Sequence, residues 1–524
     1  MRYPKTVVLV FLLACPVLFA QSVNLPLDHW AYGFIERMEA RGILSDIKNG
    51  TKPFSRKRMA ALVTQIEETF KENPGALSRI EAQYLERLKG ELWDELQDSG
   101  TQVRSYEKEP HLYSWNGDAG LFHLDALAGG SMAFRSSGAA EAERRVTQPY
   151  YGAAARGRFW NIGFYSDNRI YSEWGSGKYF QNYDASAGYP RNAEKDSSRA
   201  TWDLSDSYFV FGIRGIQIEY GRDNVAWGPS QSNGLMFSGL APSMDMLRIR
   251  FDIGPALFTW FHGQVRGDSR QKWISAHRIE FTPARGVSIG IHDAVVYANR
   301  GLEPAYLNPV LPFLVSQHSL GDRDNVAFGL DAALSRIRGL KLYGELFVDD
   351  FTSPWGIFSN DWANKLAFKA GGVWMDPAGL RNAGLRAEYT RIEPFVYTHY
   401  LSSNAYENYN IGLGSDLQPN SDRILLQWDQ WFSLSLRGGA GFSAVRHGLG
   451  DRRTPHTAED GETKHFLGGT VESTERIGIR LEYEPVRDLV FRCEAANVRT
   501  RNRGLAAGAD ASRAEILVKA SWNW

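Results

Sequence analysis

From about residue 101 to its last residue the chain alternates apolar and polar side chains with a period of two, which confines it to β-strands with one greasy and one polar face. Ile477, Ile479, Leu481 and Tyr483 alternate with Gly478, Arg480, Glu482 and Glu484. Leu340, Leu342, Leu346 and Val348 alternate with Lys341, Tyr343, Glu345 and Asp349. Leu247, Ile249, Phe251 and Ile253 alternate with Arg248, Arg250 and Asp252, and Leu385, Ala387 and Tyr389 with Arg386, Glu388 and Thr390.

Two architectures use such strands. In a soluble sandwich the apolar face is the core; in a membrane barrel it meets lipid while the charged face lines the lumen. The sheet region is too long for one sandwich. Aromatics reach 13% of the chain, and rings near strand ends, such as Trp428 with Trp431 and Tyr397 with Tyr400, sit where interfacial girdles are expected. The chain also stops inside a strand in which Ile516, Val518, Ala520, Trp522 and Trp524 share one face; this terminal aromatic resembles the signal by which outer-membrane proteins are recognised for insertion. The expected fold is therefore mainly β: a large antiparallel transmembrane β-barrel of about 18 strands, within a range of roughly sixteen to twenty, with a small N-terminal α-helical domain. Gly175 to Arg199, Ser402 to Asp422 and Gly448 to Lys464 lack an apolar face and are expected as extracellular loops, exposing Arg452 and Lys464 to trypsin on intact cells.

Before residue 100 the period is helical. Trp30, Phe34, Ile35 and Met38 fall on one face and Gly42 stops that helix. Ser55 caps a second helix carrying Met59, Leu62, Val63 and Ile66. After the Asn73-Pro74-Gly75 turn, Ser78 opens a third with Ile80, Tyr84, Leu85, Leu88, Leu92 and Leu96, ended by Ser99-Gly100. The first twenty residues resemble an export signal: Arg2 and Lys5 precede the apolar run Val7 to Ala14, and Leu18-Phe19-Ala20 precedes Gln21 as a cleavage site. Cys15 after Leu12-Leu13-Ala14 resembles a lipoprotein site, but the apolar run continues past it. The expected division is a signal peptide over 1–20, a periplasmic helical domain over 21–100, a linker over 101–118 and an outer-membrane barrel over 119–524.

Composition excludes several classes. A formal charge of −1 argues against a nucleic-acid partner. Beyond the leader only Cys493 remains, so no internal disulfide is available. No later stretch approaches eighteen consecutive apolar residues, so helical membrane spans are not expected; a mean hydropathy of −0.36 still suits a barrel, whose strands need one lipid-facing side. His29, His262, His277 and His292 lack metal-ligand spacing, and no phosphate loop, nucleophile elbow or paired-cysteine motif occurs. No metal, cofactor or catalytic residue is expected. The acidic pairs Asp349-Asp350 and Glu482/Glu484 are read as solvated or ion-paired groups.

Gly221-Arg222, Trp227-Gly228-Pro229, Leu235-Met236-Phe237-Ser238, Ala241-Pro242 and the strand Leu247 to Phe251 together resemble the signature of the capsule assembly Wzi family. Tyr306-Leu307-Asn308-Pro309, Asp324-Asn325, Asp331 and the run Leu342 to Asp350 resemble its middle region. Ser230 and Gly239-Leu240 depart from the pattern and put a shared ligand specificity in doubt. The resemblance implies an outer-membrane barrel of about eighteen strands that retains capsular or exported polysaccharide as a lectin, with a porin or substrate channel as the alternative. Arg222, Trp227, Ser238, Arg248 and Arg250 are the residues expected to contact sugar, because rings stack on pyranose faces and guanidinium matches carboxylate; Trp227 and Arg222 equally suit a lumen brace and a lumen ion pair. Gly221, Gly228, Pro229, Ala241, Pro242, Asn308, Pro309 and Trp524 are expected as structural motif positions. Asp28-His29-Trp30-Ala31, Ile35, Gly42-Ile43, Pro53-Phe54-Ser55-Arg56 and Met59-Ala60 resemble one S-layer homology repeat, with Arg58 in place of the usual Glu. That implies peptidoglycan, or the export machinery, as a partner of the helical domain, besides outer-membrane lipid as the partner of the barrel.

Overall fold

A computed structural model describes residues 18–20, 22–98, 110–136, 143–176, 194–195 and 199–524, apart from 232, 268, 270 and 354. Residues 1–17 of the proposed leader and 101–109 of the expected linker lie outside the described residues. Eighteen long antiparallel strands form one sheet closed on itself. They are β1 (Gly120–Arg135), β2 (Arg144–Phe159), β3 (Ile162–Gly175), β4 (Arg199–Ile213), β5 (Ile216–Asp223) and β6 (Met244–Ile253). Next come β7 (Ala256–Val265), β8 (Lys272–Ala284), β9 (Val287–Ala298), β10 (Asn325–Ile337), β11 (Leu340–Asp350) and β12 (Lys365–Met375). The ring is completed by β13 (Ala383–Ile392), β14 (Ser421–Trp431), β15 (Leu436–His447), β16 (Glu472–Val486), β17 (Leu489–Arg501) and β18 (Ala511–Asn523). The last strand pairs with the first, from Glu515 opposite Arg135 to Asn523 opposite Leu127. Closure leaves no unpaired edge.

The alternation takes the barrel form. Ile477 and Ile479 expose 64% and 66% of their surface, and Ile253, Ile291, Leu330 and Ile424 about half of theirs. On the opposite face Arg248, Lys341, Glu345, Lys369 and Glu388 are buried. A sandwich would hide the first set in its core and hydrate the second; burial here is inverted, as lipid outside and a filled interior require.

Strands are joined by tight turns at one end and long loops at the other. Arg214 and Gly215 both take positive φ (49° and 87°), the paired left-handed geometry of a two-residue hairpin. The helices sit at the turn end. The first, α1 (Ala31–Ala40), stops at Gly42, whose φ of 72° suits glycine. Ser55 caps α2 (Arg56–Glu72), accepting from the Arg58 N–H. Ser78 and Glu81 form a reciprocal capping box on α3 (Arg79–Glu91). The expected third helix is two: it breaks at Leu92, and α4 (Trp93–Asp98) follows.

These helices dock on the barrel through charge as well as packing. The Arg37 guanidinium reaches Glu81 (2.6 Å), Asp376 (2.5 Å) and the Ala383 carbonyl (2.8 Å). Arg87 holds Glu484 (2.6 Å) and Asp488 (3.0 Å). Tyr84 packs on Trp431, with ring centroids 4.6 Å apart, so Trp431 faces the helices rather than a girdle. Two further loop-end expectations change. Tyr397 is buried, and Tyr406, Leu413 and Leu417 from the expected outer loop are core residues; the segment after β13 folds into the lumen because its rings find an apolar surface there. Lys464 is also buried, its ammonium 2.6 Å from Glu393, which removes it as a trypsin site. Of the expected loop 175–199, residues 177–193 and 196–198 lie outside the described residues.

Replacing Arg37 by Ala leaves buried Glu81 short of a partner and should cost about 3–5 kcal/mol; protease should then cut within residues 22–98 while the barrel keeps its heat-modifiable gel mobility. Docking should also weaken in acid. Burial alone would raise Glu91, but His29 and Arg87 outweigh it and hold it at about 2; Glu81 is likewise lowered against its burial by Arg37 and Arg41. Both carboxylates titrate lower in the folded protein than unfolded, so their stabilisation is complete above pH 4.5 and is lost as pH falls towards 2. Pepsin cleavage within residues 22–98 should rise across that window while strand circular dichroism persists; an unchanged cleavage rate from pH 5 to 2, after correction for the enzyme's own pH profile, contradicts the assignment.

Candidate functional site

The inward face of β6 to β13 has two layers. Towards the loop end it is apolar, with Met244, Met246, Phe261, Ile274, Ala294, Val296, Phe347 and Ile392 buried together. Towards the turn end it is charged. Each layer is met by a different segment from inside.

Two loops fill the apolar layer. The first, between β5 and β6, is folded by Asn224, whose amide donates to the Gly239 (3.1 Å) and Ala241 (2.8 Å) carbonyls. Ala226-Trp227 pairs with Phe237-Ser238 on one side and with Thr51-Lys52 on the other, a three-stranded sheet inside the lumen. Gly228 follows at φ 126°, where an added Cβ would lie 2.8 Å from the Glu345 carboxylate. The second loop, after β13, donates from the Tyr397 hydroxyl to the Leu235 carbonyl (2.7 Å) and from the Tyr406 hydroxyl to the Met236 carbonyl (3.0 Å).

The N-terminal segment meets the charged layer. Glu280 accepts from the Gly50 N–H (2.7 Å) and the Thr51 hydroxyl (2.5 Å). Lys341 donates to Glu39 (2.7 Å), Arg386 to Glu36 (2.5 Å) and Arg250 to the Pro53 carbonyl (2.9 Å). Arg248 is held by Glu219 and Asp223. Buried charges persist when paired and hydrogen-bonded, and here Glu280, Lys341, Arg386 and Arg250 are answered by residues of the N-terminal segment.

The expected sugar contacts are thereby separated. Trp227 is 2% exposed, edge-on to Phe237 (4.8 Å) and Phe261 (5.6 Å), and braces the plug. Arg248 and Arg250 are buried in the charged layer. Ser238 is half-buried and donates to the Leu413 carbonyl (3.2 Å). Arg222 stays accessible at the loop end of β5, gripping Asp245 with two bonds of 2.9 Å. Among the motif positions, Gly221 takes a left-handed φ of 142°, Pro229 accepts from Lys341 (3.0 Å), Pro242 accepts from Asn408 (2.7 Å) and Ala241 is buried. Asn308 and Pro309 lie outside the wall, between β9 and β10. Trp524 is exposed beside Trp522 (4.9 Å) and closes a backbone pair with Ala126. No metal-ligating group occurs among the described residues.

Arg222 borders a cleft of 330 Å³ between the plug, the tip Asn24–Asp28 and the inner face of β3 and β4. Tyr165, Tyr171, Tyr208 and Tyr409 line it with Asp28, Asp167, Asp203 and Asp206. Tyr171 stacks flat on Trp202 (5.6 Å, 5°) and leans on Tyr150 (5.1 Å). Asp167 is held by Arg169 (2.7 Å). On the outward face here Ser166, Asn168, Ser205 and Ser207 hydrogen-bond one another. This part of the wall therefore presents polar groups on both faces, with exposed Ile162 and Ile170 above and below the outward serines. Sequence reasoning missed the cleft, although a signal was present: from Tyr165 to Asn168 both alternating sets carry polar groups, unlike the strands with one plain apolar face. A second cavity, of 350 Å³, lies between α1 and the wall from β12 to β17, with Asp28, His29 and Trp30 along it; this start of the helical segment thus faces the lumen.

Trp227→Ala should destabilise the protein by about 3–5 kcal/mol through the cavity it leaves, read as an earlier loss of heat-modifiable mobility on warming. Gly228→Ala should act in the same direction by driving a methyl group into Glu345.

A family model described as capsule assembly protein Wzi matches residues 157–513. No curated protein matches the chain. Among solved structures, Wzi of Escherichia coli, described as an outer membrane protein involved in group 1 capsule assembly and a carbohydrate-binding β-barrel, superposes with a TM-score of 0.59 at 12% identity, covering 95% of this chain and 99% of that one. OccAB2 of Acinetobacter baumannii superposes with a TM-score of 0.48 at 9% identity over 77% of this chain and 98% of its own. The family match spans more than half of the chain and every element of the plug and cleft that lies in the barrel: the chain belongs to the capsule assembly protein Wzi family.

Proposed function

We propose that this protein binds a capsular or exported polysaccharide at the cell surface and helps attach or assemble it there, as a lectin without covalent chemistry. The cleft carries this reading. Pyranose rings have apolar faces and hydroxyl edges; flat tyrosines suit the first and carboxylates accept from the second. Weak contacts repeated along a polymer add up through multivalency. Membership of the Wzi family supports the same role.

Short turns ordinarily face the periplasm and long loops the exterior. On that orientation the cleft would open outside and α1 to α4 would lie in the periplasm, where the exposed residues of α2 and α3 would be available to peptidoglycan or export machinery. Sugar contact is kept for Arg222, which borders the cleft; Ser238, bonded to the Leu413 carbonyl, joins Trp227, Arg248 and Arg250 in bracing the plug and wall behind it. The acidic pairs have structural employment: Glu482 binds Arg437 and Arg492, Glu484 binds Arg87, and Asp349 accepts from the Tyr397 N–H. A channel reading draws on one observation, the solvent-exposed Arg480 and Lys519 on the inward face of β16 and β18, which leave part of the lumen hydrated.

A deletion strain should secrete polysaccharide but fail to keep it on the cell. Tyr171→Ala with Asp206→Asn should weaken binding to purified polymer roughly tenfold, the equivalent of ~1.4 kcal/mol, with the barrel still heat-modifiable; full surface retention in the deletion strain sinks the proposal. Planar bilayers should show little current, and porin-like steps would favour the channel.

A further inference from the structure

Residues 299–324, between β9 and β10, run back down the outside of the barrel. The 3-10 turn Pro304–Leu307 and the short helix α5 (Phe313–Ser319) lie on outward-facing side chains. Tyr306 and Phe313 pack on Val295, Tyr297 and Val326. The Phe313 ring stacks on His277 (4.1 Å) and its N–H donates to Asp293 (3.1 Å). The Tyr306 carbonyl accepts from Ser275 (2.7 Å) and its hydroxyl donates to Asp324 (2.7 Å). This flap therefore covers polar wall residues, His277, Ser275 and Asp293, that would otherwise face outwards.

Immediately below, on the same strands, Ile279, Ile291, Leu330 and Leu334 are exposed members of the apolar belt. The flap begins where the belt stops. Its own outer surface is apolar: Leu302, Val310 and Val315 are 55%, 80% and 53% exposed. From Pro304 to Gln317 it carries no Asp, Glu, Lys, Arg or His, whereas the loop from Gly448 to Lys464 is full of them. A hydrated loop has no reason to exclude charge over that length; a segment resting in lipid does.

We infer that the flap is an interfacial anchor, seated in the outer leaflet with Val310 and Val315 among the acyl chains nearest the headgroups. The occupant of its apolar face is bilayer lipid, because that face is continuous with the lipid-covered wall beneath it. The Tyr306-Leu307-Asn308-Pro309 motif then serves to clamp the anchor to the barrel rather than to meet polysaccharide.

The test uses the full-length protein without Cys15 and Cys493, carrying Val310→Cys, Val315→Cys or, as a reference on an exposed polar loop, Glu459→Cys. Each is labelled with bimane and reconstituted in phosphatidylcholine nanodiscs. Labels at 310 and 315 should be quenched at least about twofold by lipid bearing a nitroxide on a shallow acyl carbon, and should be less accessible to iodide than the label at 459. Leu302→Cys replaces either variant that loses heat-modifiable mobility. Flap labels that iodide reaches as easily as the one at 459, with no response to nitroxide lipid, overturn the inference. Neither result depends on what the cleft binds.

Discussion

A closed ring of eighteen strands encloses more space than its own inward side chains can fill, and that volume governs the rest of the molecule. It has to be hydrated or filled. Here one arc, from β6 to β13, is filled by three separate pieces of chain, while the arc from β16 to β18 keeps exposed arginine and lysine. The cleft exists at the seam between these regimes, where the plug ends and the strands β3 and β4 continue past it.

The filling is layered by chemistry. Apolar inward residues near the loop end accept loops bearing Trp227, Tyr397 and Tyr406, and the two tyrosine hydroxyls return to the Leu235 and Met236 carbonyls. Charged inward residues near the turn end accept the N-terminal segment, whose carboxylates and backbone groups complete the ion pairs. The two layers join through the strand Thr51-Lys52, which hydrogen-bonds to Ala226-Trp227. The helical start is therefore part of the barrel's interior as much as an addition to its end, and its removal would take Thr51 from Arg278 and Glu280, Glu39 from Lys341 and Glu36 from Arg386.

This arrangement favours retention of a ligand over passage through the wall. A plug held by main-chain pairing to a docked cap is costly to displace, whereas a cleft at its margin is available without any movement. The apolar flap, on the outer surface of β8 to β10, belongs to a different environment. The polar cleft faces inward and the charge-free flap faces outward, so the wall between β3 and β10 is asymmetric in height as well as in face.

Much of this was legible in the residues. Alternation from Leu247 to Ile253 or Ile477 to Tyr483, the caps Ser55 and Ser78 and the stop at Gly42 are local, set by which solvent each face meets and by which backbone groups need partners; the barrel and its helices follow from them. The sequence by itself could not say that Trp227 braces the plug instead of stacking on sugar, that Tyr397 turns inward, or that Tyr171, Asp206 and Tyr409 share a cleft. A buried ion pair and a hydrated one use the same residue types, and a tyrosine serves a girdle, a core or a binding site equally well. Only the closed barrel decided, because it brings into contact segments as distant as Lys52 and Trp227, or Glu36 and Arg386, and so determines which groups lose water and which keep it.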